Sequence, residues 1–180
     1  MKTFALALAL GLAACGPGGA QVSNDNEARP SLELTGWLVD QAGLFDAASA
    51  RALEQRLAKL EQTTSDQLVV VSVPTLGGQP IDQFAKSLGN RWGIGRADVD
   101  NGVLMLVAPT ERKIWISVGT GLEGLLTNQR TQGIVNRMLP DFKRGDPSAG
   151  IKRGVGEIEQ VLRGDTRRPQ RESEPMRKAA

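Results

Sequence analysis

Two runs decide the fold: Val103-Leu104-Met105-Leu106-Val107-Ala108 and Lys113-Ile114-Trp115-Ile116-Ser117-Val118. Both are short, apolar and rich in β-branched side chains, and the tight connection from Pro109 to Arg112 makes them a hairpin. Upstream, Gln67-Leu68-Val69-Val70-Val71-Ser72-Val73 is nearly all apolar and ends at Pro74, which reads as a buried strand. Between it and the hairpin, after a loop at Gly77-Gly78, Pro80 can open a helix carrying Ile81, Phe84, Ala85 and Leu88. A second loop covers Gly93 to Gly102. Before the first strand, Asp46 can cap a helix with Leu53, Leu57 and Leu60 at helical spacing. After the hairpin, Thr127 caps a helix burying Ile134, Val135, Met138 and Leu139. Asp146-Pro147 opens another, whose stripe Ile151, Val155, Ile158 and Leu162 ends near Gly164.

The expected order is therefore α-β-α-β-β-α-α, with no internal repeat. A strand-helix-strand unit implies a right-handed crossover between parallel strands, and the hairpin adds an antiparallel one. The fold class is α/β: an α/β/α sandwich with a short mixed sheet and helices on both faces.

The chain has 180 residues, 40% apolar and 23% charged, enough for one ordinary domain. It has no His, no Tyr and one Cys. That excludes a Ser-His-Asp triad, a Cys-His dyad, a His-ligated metal and any disulfide within the chain. Ser65, Ser72, Ser87, Ser117 and Ser148 have no His base, Lys86 and Lys113 are expected to face solvent, and Trp92 and Trp115 read as packing residues. Of the net charge of +2, Lys2 supplies one unit and residues 165–180, with five basic and three acidic residues, supply two. Residues 3–164 are thus left at −1, no footprint for nucleic acid. The basic tail at 165–180 reads as a disordered, solvated end, with weak contact to anionic headgroups as the alternative.

Lys2, the apolar run Phe4 to Leu10 and the small residues before Cys15 form a secretory leader too short to span a bilayer. Leu12-Ala13-Ala14-Cys15 is similar to a bacterial lipobox, and the only Cys of the chain falls on the acylated position. The expected organisation is a lipoprotein signal peptide at 1–14, a flexible tether at 15–35 rich in Gly, Pro, Asn and Asp, the domain at 36–164 and the tail. Acyl chains on Cys15 would hold the domain at a membrane of the cell envelope. By similarity to bacterial lipoproteins, Gly16 favours the outer membrane, facing the periplasm, in a Gram-negative host.

Gly119-Thr120-Gly121-Leu122-Glu123-Gly124 fits G-x-G-x-x-G. Dinucleotide binding needs that loop to join a parallel strand to a helix, whereas here it leaves a hairpin, so no dinucleotide is expected. Asp98-Val99-Asp100-Asn101-Gly102 begins like an EF-hand, but Gly102 and Pro109 stand where that loop needs Asp or Asn and Glu. If Thr110 and Glu111 form a two-residue turn, paired positions sum to 221. Asn101 then faces Thr120, Asp100 faces Gly121, and Asp98 projects toward Glu123. The parallel strand starting at Gln67 brings Asp66 to the same edge, although a strand-start position makes it equally a turn residue. A cluster of carboxylates repels itself or recruits a hard cation with oxygen ligands, Ca²⁺ or Mg²⁺. On the residues alone, a cation site and a solvated acidic patch both remain open.

Val39-Asp40-Gln41-Ala42-Gly43-Leu44, Trp92-Gly93-Ile94-Gly95, Asp100-Asn101-Gly102-Val103-Leu104 and Val118-Gly119-Thr120-Gly121-Leu122-Glu123 occur in that order. Together they resemble the TPM domain family over roughly Trp37 to Gly164. That family includes a thylakoid-lumen protein, a photosystem II repair protein, a nematode receptor-modulating protein and many bacterial envelope proteins. The resemblance implies an α/β/α fold and, for several members, calcium held by loop carboxylates. It adds Asp40 to the candidate metal ligands, which are then Asp40, Asp98, Asp100, Asn101 and Glu123. The expected function is a lipid-anchored, cation-binding accessory module that serves assembly, repair or modulation of a membrane-complex protein. The alternative, a weak metal-dependent acid phosphatase, rests on an activity attributed to plant members and needs a metal-activated water.

Overall fold

A computed structural model describes residues 32–164. The leader at 1–14, Cys15, nearly all of the tether and the tail at 165–180 lie outside the described residues. The elements are β1 (Leu38–Asp40), α1 (Ala47–Thr64), β2 (Gln67–Ser72), α2 (Ile81–Trp92), β3 (Gly102–Ala108), β4 (Lys113–Val118), a 3₁₀ turn (Thr120–Leu122), α3 (Asn128–Lys143) and α4 (Pro147–Gly164). The sheet order is β1-β2-β3-β4, with the first three parallel and β4 antiparallel to β3.

The hairpin register is the expected one, from Val103 opposite Val118 to Ala108 opposite Lys113. Strand β1 is a correction to the expected order, which becomes β-α-β-α-β-β-α-α. Three residues with one buried side chain, Val39, carry no period to read. The strand exists because β2 supplies partners from Val70 to Ser72.

Local chemistry explains the helix ends. Asp46 accepts from the N–H groups of Ala48 and Ser49 at 2.9 and 2.8 Å, and Asp146 accepts from Ala149 at 2.9 Å. Thr127 takes the N–H of Arg130 at 3.3 Å. Pro80 is the cap residue of α2 rather than its first helical one.

Period two along the strands divides the core. Leu68, Val70, Val103, Met105 and Val107 meet Leu53, Leu57 and Leu60 of α1, Ile134 and Met138 of α3, and Ile151, Val155 and Ile158 of α4. On the other face α2 lies across β3 and β4 and buries Ile81, Ala85 and Leu88. Both crossovers step the same way along the sheet yet pass over opposite faces. They therefore have opposite hands, and only one follows the usual right-handed rule. Trp115 is a second correction: it alternates with the buried Ile114 and Ile116 on the edge strand β4, and is 38% exposed instead of packed.

Candidate functional site

The C-terminal ends of β1, β2 and β3 define the upper end of the sheet, and the N-terminal ends of β2 and β3 the lower. Four of the five sequence-derived ligands lie at the lower end and one at the upper.

At the lower end, the loop from Gly93 closes onto the start of β3. Asn101 is buried there as a fastener. Its Oδ1 accepts from Arg96 N at 2.9 Å, and its Nδ2 donates to Ser65 O at 2.5 Å and Asp66 Oδ1 at 3.1 Å. Asp100 follows a turn closed by its own N–H to Arg96 O at 2.7 Å and has φ 48°, a left-handed conformation that Asp tolerates. Its Oδ2 accepts from both N and Oγ1 of Thr120 at 2.8 Å. Its carbonyl takes the N–H of Gly121 at 3.1 Å. Asp98 is exposed and paired with Arg96 at 2.7 Å, and Glu123 is exposed at the end of the 3₁₀ turn.

Gly119 and Gly121 are needed here for close approach. A Cβ at either would overlap the backbone carbonyl of Asp100 or Val99. Gly124 faces open space. The first two glycines of the G-x-G-x-x-G spacing thus record how the 3₁₀ turn presses on the loop before β3, and the third plays no part in that contact.

Asp40 stands at the upper end, opposite Ser72, while Gln67 opposite Gly102 marks the lower. Five steps along β2 separate the two ends by roughly 17 Å. Both Asp40 oxygens are occupied. Oδ1 accepts from Leu44 N at 3.0 Å and from the buried Ser72 hydroxyl, and Oδ2 from Phe45 N at 2.9 Å. Ser72 Oγ accepts in turn from Ala42 N at 3.1 Å. Placing Asp40 with the other four is therefore corrected: its loop leaves the sheet at the far end. Among the described residues no three Asp, Glu, His or Cys side chains group closely enough to hold a metal ion. The five candidates do not fit a preformed cation site.

These fasteners all lie within a span that matches a known domain. A family model, the TPM domain, matches residues 38–161. The chain belongs to the TPM domain family. The N-terminal domain of a P. gingivalis protein, solved by NMR, is 31% identical, with a TM-score of 0.67 over 72% of this chain and 83% of that one. Two further NMR structures share the fold. The N-terminal domain of a Corynebacterium glutamicum protein is 14% identical, with a TM-score of 0.57 over 79% of this chain and 89% of that one. The BA42 protein of Bizionia argentinensis is 18% identical, with a TM-score of 0.59 over 67% and 82%. No curated protein matches the chain.

In this TPM domain, sequence reasoning missed three polar anchors. Ser72 is fully buried, and a hydroxyl inside the apolar run 67–73 was the available signal, since it must find a partner. Glu111 reaches from the hairpin connection to the loop after β2, accepting from Thr75 Oγ1 at 2.6 Å and Leu76 N at 2.8 Å. The Thr75 hydroxyl, then the Leu76 N–H and the Lys113 charge, hold its carboxyl below the usual Glu value. Asp141 is 1% exposed and joins α3 to α4 by binding Arg153 at 2.8 Å and Arg144. The Arg153 hydrogen bond, with both guanidinium charges, lowers its pKa. No short motif announces it, because its second arginine is twelve residues away.

Proposed function

We propose that the chain is a lipid-anchored TPM-domain module of the cell envelope that serves assembly, repair or modulation of a membrane-complex protein. The supporting observation is the use of its carboxylates: Asp40 and Asp100 accept backbone and hydroxyl groups of the protein itself, tying their loops to the neighbouring strand and turn. Such groups stiffen a binding surface, whereas a hydrolase needs carboxylates aimed at water or substrate. The lipobox at Cys15 supports the placement, and the Gly- and Pro-containing stretch behind it supplies chain length for a tether. The reading predicts that the chain stays with membranes washed in high salt, which strips electrostatic contacts but not acyl chains, and that the same wash releases Cys15→Ser. Retention of Cys15→Ser at the wild-type level after that wash rejects the anchor.

A hard cation, Ca²⁺ or Mg²⁺, enters this reading as a weak ligand of the lower edge. Asp98, Asp100 and Glu123 are exposed there, with the Asn101 carbonyl already used. Asp98 would have to leave Arg96, so affinity is expected in the range of about 10⁻⁴–10⁻³ M. Calorimetric titration with Ca²⁺ checks this, and heat that survives Asp100→Asn overturns the assignment. Hydrolysis of a generic phosphomonoester that disappears in Asp100→Asn would instead establish the phosphatase alternative.

A further inference from the structure

Charge is segregated by layer. Helix α1 and residues 128–164, on one face of the sheet, contain ten basic and six acidic residues, a net of +4. The other described residues contain five basic and nine acidic ones, a net of −4. Arg130, Arg137 and Arg144 recur every seven residues along α3 and its C-cap, and all three are exposed.

The ion pairs of this layer leave it positive because acids are shared. Asp141 serves Arg144 and Arg153, and Glu159 serves Arg56 and Arg163. Each trio keeps one positive charge. Even when paired, the Arg137, Arg144 and Arg153 side chains are 57%, 65% and 52% exposed. A guanidinium has five N–H donors and a carboxylate occupies at most two, so the remainder can meet phosphate oxygens.

We propose that the outer surface of the α1–α3–α4 layer docks on an anionic phospholipid bilayer. Charge complementarity selects the partner, and the sequence directly after α4 carries a further net +2 at residues 165–180. The proposal rests on the anchored reading for proximity: twenty residues after Cys15 reach up to about 70 Å. At the envelope, the polyanion within that reach is the lipid headgroup layer.

The test uses the chain from residue 15 onward carrying Cys15→Ser, so that neither the apolar leader nor acylation can contribute, with vesicles of phosphatidylcholine alone or with about one third phosphatidylglycerol. Co-sedimentation is expected with the anionic vesicles only, and to weaken with salt. Reversing two exposed lysines outside the ion pairs, Lys59→Glu with Lys143→Glu, should lower partitioning at least ~10-fold. Lys86→Glu with Arg91→Glu on α2 changes the net charge equally and should alter it less than ~2-fold. If the first pair impairs folding, Lys59→Gln with Lys143→Gln replaces it. Equal losses from both pairs overturn the proposal, because net charge alone would explain them. So does absence of binding to anionic vesicles, or binding abolished by ending the chain at Gly164 and insensitive to the layer variants. Equally layer-dependent binding to duplex DNA also overturns it, as it shows a general polyanion surface. Fractionation of Cys15→Ser after a high-salt wash tests the anchor separately, since the wash removes headgroup contact but not acyl chains, so either reading can fail alone.

Discussion

At the upper end of the sheet Asp40 receives three donors spread over both carboxylate oxygens, while at the lower end Asp100 takes both of its side-chain hydrogen bonds on Oδ2. Asp40 is half-buried against a fully buried serine, whereas Asp100 is exposed. The same residue type, at the two ends of one sheet, thus does two physically different jobs. At the upper end the charge itself is needed, because an amide cannot accept on both sides. At the lower end one oxygen suffices, and close backbone packing around the glycines carries the rest.

The largest expected effect comes from the lower-end glycines. Gly121→Ala drives a Cβ into the Val99 carbonyl, which is backbone and cannot rotate away. It should cost about 3 kcal/mol in chemical denaturation. A loss under about 1 kcal/mol would mean that the two loops are not pressed together. Next is Asp40→Asn, which turns an NH₂ toward the N–H of Leu44 or Phe45 and should cost about 2 kcal/mol. Asp100→Asn can aim its carbonyl at Thr120 and keeps a left-handed backbone, so about 0.5 kcal/mol or less is expected. Equal costs for the two Asp→Asn changes would erase the distinction between the ends.

The smallest effect is local and pH-dependent. Glu111 has a lowered pKa in the folded state, so its contribution is present above the ordinary Glu value and lost as pH falls through the folded one. Hydrogen exchange at Leu76 N–H should therefore lose protection only in the acid range, below the usual Glu titration. In Glu111→Gln that acid-range loss should disappear. Protection that is pH-independent in the wild type would remove Glu111 from the upper-end fasteners.

The hairpin register was legible because six paired residues and a tight turn allow few alignments, and Asn101 and Asp100 followed it to their places. Ser72 and Glu111 were not legible as anchors. Their partners, Asp40 and Thr75, lie 32 and 36 residues away, and no local pattern encodes such a meeting. Asp40 failed differently: the resemblance of its loop to a family stretch does not say at which end of the sheet the loop stands.

What the sequence determined by itself is the set of elements long enough to show a period or a cap, the parallel-then-antiparallel order of β2, β3 and β4, and the family. Backbone propensity, hydrophobic spacing and side-chain capping act within a few residues, so they can be read in line. The tertiary structure alone decided that β1 is a strand, that Asp40 stands at the opposite end of the sheet from the acidic loops, and that positive charge collects on one helical layer. Each depends on strands and helices meeting across tens of residues, where pairing and packing set the geometry and spacing along the chain does not.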